Sequence, residues 1–188
     1  MRKDYRPKPP EAFTRAIIFA ALFLGTVLGS LAAGSTPADS FSPLSQNIYT
    51  SFLSLGGPYD SAPGFGESVF RHLRTVLLIW VLGFLYAGGL FQTVLIALRG
   101  FFVGYGVSIL VMQFGAAGLA LAFAAVLVSN IFLFLICLWI ILNTGPLPHK
   151  PYNKFLIPAA SLAGTVLIGL YEAYVSPPLC LLIFNALN

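Results

Sequence analysis

The chain has 188 residues, of which 58% are hydrophobic and only 9% charged, whereas soluble domains carry about 25% charged residues. That leaves too little polar surface to solvate a globule and no room for a second, soluble domain. The net charge of +4 comes from cations spread along the chain rather than gathered in a patch, which argues against a nucleic-acid partner.

The charges divide the chain instead. No Lys, Arg, Asp or Glu occurs from Ala16 to Ala33, from Thr75 to Leu98, or from Gly100 to Asn143. A membrane-spanning helix needs about 20 apolar residues, so the first two runs hold one span each and the third holds two. A further stretch begins at Phe155. The expected fold is all-α, a polytopic membrane helical bundle of five transmembrane helices. A basic tail, 1–15, precedes a single membrane domain, 16–188, with spans near 16–33, 75–97, 101–115, 118–142 and 155–176 and an extracytoplasmic segment 34–74. Arg2, Lys3, Arg6, Lys8, Arg15, Arg99, Lys150 and Lys154 fall on one side if the N-terminus is cytoplasmic, as the excess of cations in cytoplasmic loops requires. Only Arg71 and Arg74 fall elsewhere.

In chain order, the proline-rich basic arm is a solvated tail. Gly25 and Gly29 in the first span form a small-residue face for close helix packing. Ser30-Leu31-Ala32 also offers the small residues a signal peptidase prefers, but the run is long for a signal sequence. In the outer segment, Phe41, Leu44, Ile48, Phe52 and Leu55 recur at three- and four-residue spacing. This places them on one face of a short helix from Pro43 to Leu55, capped by Ser42 and stopped by Gly56-Gly57. That face suits docking onto a partner, onto the bilayer surface or onto the bundle itself.

A second short helix from about Gly66 leads into the next span. His72, between Arg71 and Arg74, is read as an exposed interfacial residue. Gly83 lies within the second span, and Gly100, Gly104 and Gly106 thin the third, all suited to helix packing. Phe114 to Gly118 permits a tight hairpin. Asn130 then stands mid-membrane, where it should hydrogen-bond another helix. Glu172, in the last span before Pro177-Pro178, is costly there unless it faces the bundle, is protonated or is functional. Cys137 and Cys180 sit in apolar stretches as small hydrophobes, without a disulfide. No cluster of nucleophile, base or metal ligand with a known spacing occurs, so no catalytic, cofactor-binding or metal-binding residue is assigned.

From Phe70 onward the order of features resembles the stage II sporulation protein M family. The residues concerned are Phe70-Arg71-His72-Leu73-Arg74, Leu82-Gly83, the run Leu98 to Gly106, Gln113-Phe114-Gly115 with Gly118, Ser129-Asn130, and Tyr171-Glu172-Ala173-Tyr174-Val175-Ser176-Pro177. His72-Leu73 stands where the family often has paired asparagines, and Val128-Ser129 where a proline often precedes the polar residue. The resemblance implies a non-enzymatic scaffold in the plasma membrane. It would recruit peptidoglycan-degrading partners, stage II sporulation proteins D and P, at the septal membrane during engulfment. The residues themselves leave a second reading, a small permease or channel subunit using Glu172, with a homo-oligomer supplying the pore.

Overall fold

The computed structural model describes residues 11–36, 64–85, 88–143 and 153–185. Every element among them is helical. In chain order these are α1 (Glu11–Gly34), α2 (Phe65–Leu82), α3 (Gly88–Phe114), α4 (Ala116–Ala122), α5 (Val128–Asn143), α6 (Asn153–Leu170) and α7 (Ser176–Asn185). A wide π turn, Phe123–Leu127, joins α4 to α5, and a second, Tyr171–Val175, joins α6 to α7. Four stretches are long and apolar enough to cross a bilayer: Phe13–Gly34, Gly88–Phe114, Ala116–Asn143 and Leu156–Ile183. Their outer faces bear large apolar side chains that a soluble protein would bury, with Phe23 at 68% and Phe102 at 69% exposed. The protein is a multi-pass membrane protein built as an all-α bundle. α2 is long enough to join these four but carries Glu67, Arg71 and Arg74.

Lipid tails are as apolar as leucine, so helices here associate through close packing and polar contacts rather than through water exclusion. The most extensive contact is between α1 and α3, which run parallel. Gly25 lies on the backbone of Ala97 and Gly29 on that of Phe101, while Gly100 and Gly104 lie on the backbone of Leu22 and Thr26. A Cβ at any of these four positions would collide with main-chain atoms, so glycine sets the helix separation. Ser30 Oγ donates to the Gly104 carbonyl at 3.4 Å across the same seam. Gly106, expected to pack likewise, does not: a Cβ there would meet nothing within 4 Å.

The span expected over 75–97 is not one helix. α2 ends at Gly83, whose N–H reaches the Ile79 and Trp80 carbonyls, and α3 starts at Gly88 against the Leu82 carbonyl. Gly83, Gly88 and Gly89 weaken a continuous helix and permit this tight reversal, so Gly83 terminates a helix instead of packing within one. Buried Gln92 ties the hairpin by donating from Nε2 to the Ile79 carbonyl at 2.8 Å. The next reversal takes one residue, Gly115, at φ 58° and ψ −132°, a region open only to glycine.

Pro177 and Pro178 do not break the last helix. Proline rings crowd the carbonyl four residues back, here those of Ala173 and Tyr174, and the π turn widens the backbone at that place. The other π turn leaves carbonyls free of their usual partners. The Ala124 carbonyl accepts from Tyr171 Oη at 2.7 Å and Ser176 Oγ at 3.3 Å, so the two wide turns are stitched together. Ile18, Val76, Ile79, Ile96, Leu133 and Ile140 form the apolar centre, with Cys137 among them. Cys137 and Cys180 are both buried free thiols.

Candidate functional site

Above that apolar centre the bundle gathers its polar residues. α2 buries Ser68, His72, Val76 and Ile79, a stripe at helical spacing, and turns His72 inward to 2% exposure. His72 is therefore a core residue, and its expected place at the exposed interface is corrected. Its Nε2 lies 2.9 Å from Glu172 Oε1, at ion-pair distance. The ring N–H is not aligned on that oxygen, and among the described residues neither ring nitrogen has a hydrogen bond of good geometry. Glu172 sits in the π turn, where the widened backbone re-aims its side chain at α2. π turns recur at functional sites because they break the regular side-chain register.

The hydroxyls of Ser68 and Ser129 are also buried without a hydrogen-bond partner among the described residues. Ser129 and Arg71 both lie close enough to act on the Glu172 carboxylate. The pair thus stands among polar groups with unused hydrogen-bonding capacity, an arrangement that costs free energy unless function or water repays it.

Arg99 departs furthest from its expected place. It does not separate two spans. It lies 11 residues after the start of α3 and 15 before its end, so at about 1.5 Å per residue it is about 16 and 22 Å from the two ends, near mid-bilayer. An arginine there costs about 2.5–3.5 kcal/mol or more. Its Nε donates to Asn130 Oδ1 at 3.1 Å and its terminal guanidinium nitrogen to Thr75 Oγ1 at 3.4 Å. Asn130 in turn donates from Nδ2 to the Val126 carbonyl at 2.7 Å, inside the first π turn. Arg99, Arg71 and Glu172 lie within electrostatic reach of one another. Asn130 bonds to another helix, and that partner is a cation.

Four separate stretches of sequence therefore meet in one cluster: Arg71, His72 and Thr75 from α2, Arg99 from α3, Ser129 and Asn130 from α5, and Glu172 from the second π turn. Gly25, Gly29, Gly100 and Gly104 lie beside it at the α1–α3 seam, whereas Phe41, Leu44, Ile48, Phe52 and Leu55 fall outside the described residues. The stripe Ser68, His72, Val76 and Ile79 was the signal in the sequence that marked His72 as inward. Among the described residues no group of three or more His, Cys, Asp or Glu side chains comes together as a metal site. Comparison with family models, with curated proteins and with solved structures finds no match to this chain.

Proposed function

We propose that this protein is a non-enzymatic integral membrane scaffold of the stage II sporulation protein M type, holding peptidoglycan-remodelling enzymes at the plasma membrane. The observation that supports it is the convergence just described. The stretches on which the resemblance rests, around Arg71-His72, Arg99-Gly100, Ser129-Asn130 and Tyr171-Glu172, are dispersed over about 100 residues and meet in one cluster. A shared order of motifs has a physical basis if those motifs clasp one bundle together. The glycine seam and the polar clasps favour a fixed platform, and the segment between α1 and α2 would present the partner-binding face. Affinity purification of the tagged protein from its native membranes tests this. Wild type should recover extracytoplasmic wall-active proteins such as stage II sporulation proteins D and P. The Ile48→Asp/Phe52→Asp variant should stay in the membrane and lose them, because two charges would occupy an apolar docking face. Failure of the wild type to recover any such protein would remove the scaffold reading.

A second reading rests on the His72–Glu172 pair, since ionisable pairs in spans also serve proton relays. As a permease or channel subunit, with a homo-oligomer supplying the pore, the purified protein would move a solute or protons across liposomes, and Glu172→Gln would stop it. Equal flux in the variant would remove that reading.

A further inference from the structure

Between α2 and α3 lies a cleft of about 520 Å³ whose charged lining is unbalanced. Arg71, Arg74 and Arg99 all contribute to it, against one carboxylate, Glu67, at the end nearer the start of α2. Glu67 does little to neutralise them: its side chain is 73% exposed and stands 4.0 Å from Arg71, a geometry that contributes next to nothing. With Glu172 also within electrostatic reach of Arg71 and Arg99, three cations stand against two carboxylates, an excess of one positive charge in a region where unpaired charge is expensive.

The remaining walls are apolar and outward-facing. Phe70, Leu98 and Phe102 line the cleft and are 68%, 49% and 69% exposed, so it opens sideways toward lipid. Arg99 is anchored at the deep end by Asn130 and Thr75. Arg71 and Arg74 are exposed, on long stems able to lift their charges toward the membrane surface. The volume is that of a small-molecule site and far below that of a helix. Guanidinium forks match phosphate oxygens in pairs, which makes arginine the preferred side chain for such groups. A ligand that brings negative charge, enters from the bilayer and lies along phenylalanine and leucine is an anionic amphiphile.

We infer that the α2–α3 cleft binds an anionic phospholipid, its phosphate held by Arg71 and Arg74 and one chain lying along Phe70, Leu98 and Phe102. The inference goes beyond the scaffold reading and does not depend on it. Basic pockets between transmembrane helices are a recognised mode of headgroup capture, and the bound phosphate would neutralise the excess that the protein leaves open.

The test uses the full-length protein in a neutral detergent, titrated separately with phosphatidylglycerol, phosphatidylcholine and inorganic phosphate. Melting temperature and native mass spectra are recorded for wild type and for Arg71→Gln/Arg74→Gln, which leaves Arg99 and the His72–Glu172 pair intact. Phosphatidylglycerol should raise the wild-type midpoint by about 5 °C and appear as a single bound adduct, while phosphatidylcholine and inorganic phosphate leave both unchanged. The double variant should lose the shift and the adduct. Should the variant prove unstable, the wild-type contrast between the two lipids still decides. Equal responses to both lipids, an equal response to inorganic phosphate, or retention of the adduct by the variant would each overturn the inference. So would loss of a co-purifying membrane protein from the variant without any lipid effect, which would assign the cleft to an acid-bearing transmembrane segment.

Discussion

His72 and Glu172, 100 residues apart in the chain, meet at 2.9 Å inside the bundle and join α2 to the last helix. Removing Glu172 leaves His72 buried and removing His72 leaves a partly buried carboxylate, so single and double replacements should not add. Glu172→Leu and His72→Leu should each lower stability by about 1–3 kcal/mol, with the double variant at least about 1 kcal/mol better than their sum. Glu172→Gln, which keeps a polar group opposite the ring, should be the milder single change. Thermal unfolding in detergent supplies all the values, and simple additivity would show that the two side chains do not interact.

Arg99 and Asn130 offer a sharper asymmetry. Asn130→Leu removes the acceptor at 3.1 Å and leaves a guanidinium in mid-bilayer. Arg99→Leu with Asn130→Leu removes the charge as well. The double variant should therefore be more stable than Asn130→Leu alone, by about 1–2 kcal/mol. The reverse order would mean that Arg99 is solvated by water rather than by its protein partners.

Two glycines near each other in sequence should behave oppositely. At Gly104 an added Cβ meets the Thr26 backbone, whereas at Gly106 it meets open space. Gly104→Leu should loosen α1 from α3 and lower the melting midpoint by several degrees, while Gly106→Ala should leave it unchanged or raise it slightly. Similar losses at both would contradict the packing described.

Accessibility labelling of single cysteines, in a background without Cys137 and Cys180, checks orientation and span boundaries together. Positions within 1–15 and in the loop at Lys150 should react only after the cytoplasmic side is opened, and Asp60 without it. A cysteine at Arg99 should resist reagent from both sides. Ready labelling at Arg99 from the cytoplasm would restore it as a loop residue.

The sequence reading and the structure part company at Arg99, for a reason that is physical. Apolar runs bounded by charges reveal spans because an unpaired charge stops insertion, and by that logic Arg99 closes one span and opens another. The partners that make it tolerable, Thr75 and Asn130, lie 24 and 31 residues away, and no local pattern announces them. The same applies to His72, whose flanking arginines suggested water while its inward stripe pointed to the core. Where the signal is local the sequence was informative: the glycines four apart on α1 and on α3 line one seam, each against the other helix's backbone. The hairpin expected at Phe114 to Gly118 forms at Gly115.

The placement of Glu172 near the end of the chain bears on how the molecule is made. α2 leaves the ribosome with Glu67, Arg71, His72 and Arg74; α3 then supplies Gln92 and Arg99 to Ile79 and Thr75, but His72 lacks its carboxylate until the π turn at Tyr171–Val175 has been synthesised. α1 likewise waits for α3 to emerge before its glycines have a neighbour. Nascent chains stopped before Glu172 should thus hold α2 poorly in the bilayer and be open to quality-control proteolysis, and the last helix acts as the closing step of assembly.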